Sequence, residues 1–487
     1  MNQHSVNQEL FKWKGNPPAG ASISLAMQHL VAMIVGCVTP AIIIANVIGL
    51  SSDDRIILIQ ACLVMSAVST FIQLFPIGGK IGSALPVILG TSFAYLPSMQ
   101  AIAEETGGIA AITGAMVVGG VVAVVFGIFS EKIRKFFPAI ITGTVVFTIG
   151  LSLYPTAINY MAGGTSNTAD LIAKKGLNTA LIYGSWQNWT IAIATLVAVM
   201  LFNNYGKGVF KLASILLGMI VGYIIAAVCG MVDFSSVGTA AWFSVPQPLH
   251  FGITFEPSAC IALGILFAIN SVQAIGDFTS TTVGGFNREP TNQELKGGII
   301  AYGLTNILTA FCGGLPTATY SQNVGIVTTN KVVARKVFAF AAGFILLAGI
   351  CPKFSAVLTT IPQCVLGGAT VTVFSTIAMT GMKLINSTEM NARNTTIVGL
   401  SAALGVGIAQ ASSSLSQFPA AFTIIFGKSP VVIATLLAIV LNLILPKDSK
   451  VQVKTEERAE VLKIGEGTYG TEDSQDGPSD SDTAKKQ

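Results

Sequence analysis

Pro316-Thr317-Ala318-Thr319-Tyr320-Ser321-Gln322-Asn323-Val324-Gly325, followed by Lys331 and Arg335, is a polar run set in a chain of long apolar stretches. A proline and a glycine in one short run oppose a continuous helix. The amides of Gln322 and Asn323 would each cost several kcal/mol if they faced lipid without partners. A helix broken at membrane depth is tolerated where it lines a cavity. Short apolar segments interrupted by Gly or Pro and bearing hydrogen-bonding side chains point to the midplane site of a transporter.

Outward from that run, the composition is that of a membrane protein. The 487 residues are 52% hydrophobic and 10% charged, against about 25% charged in soluble domains. The fold class predicted is an all-α polytopic membrane protein. Apolar stretches fall near 24–48, 54–75, 81–97, 109–129, 134–155, 187–203, 209–231, 258–278, 295–312, 315–329, 336–351, 355–385, 394–411 and 418–446. Some approach the roughly 20 residues that cross the hydrocarbon as helix, and a few are too short. The first follows a polar start with Lys12 and Lys14 and no small-residue cleavage site, so it is read as a retained span.

Cytoplasmic loops collect Lys and Arg, which tests the count. With a cytoplasmic N-terminus (1–23) and about 14 crossings, the inside loops hold Lys132, Arg134 and Lys135; Lys207 and Lys211; Arg288 and Lys296; Lys331, Arg335 and Lys336; and Lys383 and Arg393. The outside segment from Val232 to Cys260 contains no Lys or Arg, while the outside loop 156–186 carries Lys174 and Lys175. The tail 447–487, rich in Lys, Glu, Asp, Ser and Gly, is expected to be disordered and cytoplasmic. The chain is thus placed in the cell inner membrane with both termini in the cytoplasm.

Other classes find little support. Seven cysteines, odd in number and without CxxC spacing, argue against a disulfide framework or a zinc site. The net charge of +4 is the positive-inside bias, with no basic stripe interleaved with aromatics that would suggest nucleic acid. No P-loop is present, against an ATP-driven pump. One intramembrane Asp and one distant His are thin support for an enzyme, and no cofactor or metal is expected.

The two halves share a pattern. Leu85-Pro86 and Leu315-Pro316 each follow a small-residue patch, Gly82-Ser83-Ala84 and Gly313-Gly314, and six residues after each proline stands a polar side chain, Ser92 and Gln322. Seven spans per half would make the halves run in opposite directions, a 7+7 inverted repeat with its site where the broken segments of spans 3 and 10 meet. Chance recurrence among 19 prolines is the competing reading.

Three further constellations matter. Asn270, Gln273 and Asp277 stand at i, i+3 and i+7, one face of an otherwise apolar helix. A central Asp costs about 2.5–3.5 kcal/mol on insertion scales, so a functional role is the default. The alternative is that Asp277 ends its span at the cytoplasmic surface or pairs with a backbone amide. His29, beside Gln28 early in the first span, could shuttle protons or merely hold a neighbouring helix. Phe93, in Gly90-Thr91-Ser92-Phe93-Ala94, could stack on a flat ring or pack the core.

At these residues the chain resembles the nucleobase/ascorbate transporters, also called nucleobase cation symporter family 2, and within them the bacterial xanthine/uric acid permeases. The family signature in the tenth span matches Gln322-Asn323-Val324-Gly325 to Arg335. Gln28-His29, the Gly90-to-Phe93 run and the Gly276-Asp277 ending of the eighth span match too. The resemblance implies a core domain of spans 1–4 and 8–11 (24–129 and 258–351), a gate domain of spans 5–7 and 12–14 (134–231 and 355–446), short antiparallel strands in spans 3 and 10, and a homodimer. It implies that Gln322 and Asn323 read a purine edge, that Ser92 and Phe93 lie at the substrate, and that His29 orders the site indirectly. A side-chain amide offers a donor and an acceptor to a ring presenting N–H beside C=O. The chain departs from the family at Gln273, where Glu is usual, and at Tyr302, where Asp is usual. Gln273 can still bond a purine, but through a neutral amide, and Asp277 is the remaining acid for coupling. The function implied is import of a purine, xanthine or uric acid, by proton symport with alternating access. The alternatives are a facilitator or exchanger without proton coupling, or an inorganic anion transporter of the sulfate type.

Overall fold

The structure, a computed structural model, describes residues 8–106, 108–130, 138–174, 176, 178–419, 426 and 429–446. The charges at Lys132, Arg134, Lys135 and Lys175 and the tail 447–487 lie outside the described residues. Met1–Leu443 form one compact unit, and Ile444–Gln487 the second, of which residues 444–446 are described.

The chain is mostly helical. The main elements are α1 (Ala19–Ile48), α2 (Ser52–Leu74), strand β1 (Leu89–Thr91), α3 (Leu96–Thr106), α4 (Ala110–Ile128), α5 (Ala139–Met161), α6 (Trp186–Tyr205), α7 (Ser214–Val228), α8 (Pro257–Phe286), α9 (Asn292–Phe311), strand β2 (Thr317–Thr319), α10 (Ser321–Asn330), α11 (Arg335–Gly349), α12 (Pro352–Thr359), α13 (Gln363–Asn386), α14 (Ala392–Gln410) and α15 (Pro430–Ile444). Their ends are set by ordinary capping chemistry. Gly49 takes the left-handed conformation after α1, Ser51 accepts from the Asp54 N–H before α2, and Thr291 and Glu294 form a reciprocal capping box before α9.

Among the described residues, α1, α2, α4, α5, α8 and α13 are long and apolar enough to cross a membrane, and α11 with α12, bent by 77°, would make a seventh span. α7 and α15 are apolar but shorter. The remaining predicted stretches are helices of more mixed composition or are broken. Two stretches differ from expectation for a visible reason. The stretch 355–385 is two helices, because Pro362 holds an extended ψ of 146° and cannot continue the helix before it. The stretch 258–278 runs on to Phe286, which leaves Asp277 inside the helix and 7% exposed instead of at its end.

Helix packing falls into two sets. In the first, α4 packs on α8 and α9, α2 packs on α1 and α11, and α10 packs on α8. In the second, α13 lies along α5 and also packs on α6 and α7, while α14 packs on α5. Between consecutive helices of the first set the chain twice becomes extended. β1 and β2 pair antiparallel with Leu89 opposite Thr319, Gly90 opposite Ala318 and Thr91 opposite Thr317. Each strand leads into a helical segment, Phe93–Tyr95 running into α3 after β1, and α10 after β2. The residue that follows β1 is thus Ser92 and the one that follows β2 is Tyr320, two positions before the Gln322 that the proline spacing matches to Ser92, and the register lays Ser92 beside Pro316 and Tyr320 beside Ile88.

Candidate functional site

A two-stranded sheet amid apolar helices has edges that must find partners, because no water is present to take them. The sequence supplies them from helices. Thr70 Oγ1 accepts from the Leu89 N–H at 3.1 Å, and Ser66 Oγ donates to the Leu89 carbonyl. On the other edge, Asn306 Oδ1 accepts from the Thr317 N–H at 2.8 Å while its Nδ2 donates to the Thr317 carbonyl at 3.3 Å and to the Tyr302 carbonyl at 2.9 Å. The strand ends are tied by the Ser92 N–H to the Pro316 carbonyl and the Tyr320 N–H to the Ile88 carbonyl, both 3.0 Å. Tyr320 then folds its ring across the sheet and donates to the Thr91 carbonyl at 2.6 Å. Gly90 is required there, since a Cβ would run into the Tyr320 ring and the Cys37 sulfur.

Beside this sheet lies a cavity of about 200 Å³. Ser92, Phe93, Gln273, Thr319, Tyr320, Ser321 and Gln322 line it from the first set of helices, and Val146, Ile149, Thr376, Ile377 and Thr380 from α5 and α13 of the second. Of the residues singled out in the sequence, Ser92, Phe93, Gln273 and Gln322 therefore meet at one surface. Gln322 is exposed there and Gln273 half-buried, and neither side chain has a protein partner among the described residues. Phe93 stands edge-on to Phe374 of α13, with ring centroids 5.2 Å apart, so one apolar wall is shared by the two helix sets. The cavity also receives the first residue of α10, whose N-terminus carries the positive end of the helix dipole.

The other candidates lie one layer back. Asn323 is 1% exposed and points away from the cavity, to His29: its Nδ2 lies 3.1 Å from His29 Nδ1 and 3.1 Å from the His29 carbonyl. His29 is 2% exposed and its ring rests 4.6 Å from that of Phe338. Asp277 is absent from the cavity wall too. Its Oδ1 accepts from Ser321 Oγ at 2.8 Å and its Oδ2 from Thr319 Oγ1, two hydroxyls that do line the wall. Asn270 turns back to its own helix, donating to the Leu266 carbonyl at 3.1 Å.

Two features escape a reading of the sequence. Tyr302 is fully buried and its hydroxyl meets that of Tyr95, with Phe267 against both rings. Thr376 and Thr380 reach the cavity from a helix whose sequence carries no motif. Thr319 and Ser321 could have been found, since both stand inside the polar run.

Known proteins identify the family. The family model Xan_ur_permease, described as a permease family, matches residues 20–413. The uric acid permease PucJ of Bacillus subtilis is 31% identical over 437 residues, covering 89% of this chain and 94% of that protein. The xanthine permease of the same organism is 31% identical over 452 residues, covering 91% and 98%. Among solved structures, the transmembrane domain of a cyanobacterium bicarbonate transporter, BicA, superposes with a TM-score of 0.55 at 13% identity, covering 91% of this chain and 98% of that one, a likeness of fold alone.

Proposed function

The chain belongs to the permease family whose model it matches, a family of transporters and not of enzymes, and from that membership we propose that it imports a purine nucleobase, xanthine or uric acid, across the cytoplasmic membrane. The observation that carries this reading is the pair of unpartnered amides, Gln322 and Gln273, facing one small cavity that Phe93 walls. Each amide offers one acceptor and two donors, which suits the alternating N–H and C=O edge of an oxidised purine. The Phe93 ring suits the face of such a ligand, and the relatives named xanthine and uric acid permeases support the same class.

In this reading the cavity is the central site of alternating access. The first helix set acts as the core domain and the second as the gate domain, and the substrate is bound where they meet, as the mixed lining of the cavity supports. Gln273, Gln322, Ser92 and Phe93 contact the purine, while Asn323, His29 and Asp277 hold those contacts in place. Transport is proton symport, with Asp277 as the coupling group, in a homodimer whose termini are cytoplasmic. Cells lacking their own purine permeases, expressing this chain, should accumulate radiolabelled xanthine, with unlabelled urate competing and uracil, ascorbate and sulfate failing to compete. Competition by sulfate without competition by purines would overturn the purine reading in favour of an anion transporter.

A second reading has its own observation. The Tyr302 hydroxyl is taken up by Tyr95, Gln273 is a neutral amide, and by the resemblance drawn above both stand where acids are usual. A facilitator would leave internal and external xanthine equal and would ignore a protonophore.

A further inference from the structure

Asp277 is not part of the cavity wall, yet both of its oxygens are engaged by hydroxyls that are. Thr319, on β2, and Ser321, the first residue of α10, form part of the cavity wall and turn their hydrogens inward to the carboxylate. A hydroxyl has one hydrogen and two lone pairs. While each hydrogen is committed to a carboxylate oxygen, the wall can offer a ligand only acceptors at these two positions. We propose that Thr319 and Ser321 translate the protonation state of Asp277 into the hydrogen-bonding character of the cavity, and so are the positioning residues through which a proton and the substrate sense one another. This rests on the purine-transport reading above.

The proton count is simple. A carboxylate accepts at both oxygens; a carboxylic acid accepts at one and donates at the other. When Asp277 takes up a proton, one of the two hydroxyls becomes the acceptor of the new O–H and its own hydrogen is released. The cavity gains one donor for each proton bound, with no movement of backbone and no change in the number of bonds to Asp277. A ligand presenting a carbonyl or ring-nitrogen lone pair at that wall is then met by a donor instead of a lone pair. Substrate binds more tightly to the protonated form, and by linkage the proton binds more tightly when substrate is present.

Among the described residues no competing charge obscures this exchange. The elements packed against α8 are α3, α4, α5, α9, α10, β2 and the turn Phe93–Tyr95. Of these, α4, α10 and β2 carry no titratable side chain. On α9, Glu294 is held by Arg288 at 2.5 Å, Lys296 is exposed, and Tyr302 meets Tyr95 of the turn. On α3, Glu104 and Glu105 are exposed near its far end. On α5, Tyr160 lies 3.4 Å from Asn46 Nδ2, and Tyr154 is half-buried. On α8 itself, Cys260 is near the opposite end, more than four turns from Asp277.

The test is the pH dependence of xanthine affinity in purified, reconstituted wild type and three variants. Wild type should bind more tightly as pH falls, by about fivefold or more, the low end of ordinary coupling between sites. Asp277→Asn places an amide donor and a carbonyl acceptor where the acid would have them, so it should bind xanthine at every pH as wild type does at low pH. Thr319→Val and Ser321→Ala should each weaken the pH dependence, and the double variant should abolish it while still binding xanthine through Gln322 and Gln273. A merely structural role for the hydroxyls would instead lower affinity equally at all pH values. The proposal is overturned if the double variant keeps the wild-type pH profile, or if Asp277→Asn binds as wild type does at high pH. If wild type binds no xanthine at all, it is the purine reading that fails.

Discussion

Asn323 donates twice to His29, to the ring nitrogen Nδ1 and to the backbone carbonyl, each at 3.1 Å. The carbonyl can only accept, which fixes the orientation of the amide, so Nδ1 must accept as well. The ring proton therefore sits on Nε2 and the imidazole is neutral. Packed against Phe338 and 2% exposed, His29 is built to hold Asn323, and through it the start of α10, and not to carry protons.

His29→Gln, which can keep an acceptor near Asn323, should transport with a pH profile matching wild type. His29→Leu leaves one amide hydrogen without a partner and should cost about 1 kcal/mol in substrate affinity, roughly fivefold. Uptake measured across pH for both variants checks this, and a flat profile in His29→Gln would return the histidine to proton transfer.

Gln322 is exposed at the cavity and has no protein partner among the described residues. Gln322→Glu removes its donor and sets a charge against a purine carbonyl, so xanthine affinity should fall at least tenfold, about 1.4 kcal/mol. Protein in the membrane, quantified by immunoblot, should be unchanged, and unaltered uptake kinetics would remove Gln322 from the site.

Asn306 alone among the described side chains serves both backbone groups of Thr317. Asn306→Leu, close in volume, leaves a buried N–H and C=O at the sheet edge unpaired, at about 1–3 kcal/mol for each group. Thermal unfolding of the detergent-solubilised protein should shift down by several degrees. Thr305→Ala on the same helix turn, whose hydroxyl bonds only its own helix at the Tyr302 carbonyl, should shift it far less.

The charge pattern places Ser236 outside and Thr291 inside. Ser236 lies in the short helix Ser235–Thr239, and Thr291 is the exposed cap of α9. An impermeant maleimide added to intact cells should label Ser236→Cys and spare Thr291→Cys. Labelling of Thr291→Cys alone would invert the proposed topology.

The sequence made the broken segments legible because proline and glycine leave unmistakable marks on a hydrophobic background. It could not give their register. Anchoring the halves on Pro86 and Pro316 matches Ser92 with Gln322, but the chain between proline and strand differs in length, so the residue after β1 is Ser92 and that after β2 is Tyr320, and the antiparallel register lays them beside Pro316 and Ile88. Adjacency and resemblance make Gln322 and Asn323 a pair in the sequence. Adjacent residues of an α-helix point about 100° apart, so when Gln322 faces the cavity Asn323 faces α1. The meeting of Tyr95 with Tyr302, 207 residues apart, leaves no periodic trace for a sequence to show.

The pairing of β1 with β2 also imposes an order on the birth of the protein. Leu89–Thr91 leave the ribosome more than two hundred residues ahead of Thr317–Thr319, a delay of roughly 10–50 s at ordinary rates of synthesis. For that time one side of β1 has no strand to bond in the membrane. Ser66 and Thr70, already threaded beside it, occupy only the Leu89 end. The half-made chain is thus a client for whatever shelters unpaired backbone during insertion, and a ribosome stalled before Thr317 should leave a product degraded faster than one stalled far enough past Asn330 for β2 to have left the ribosome.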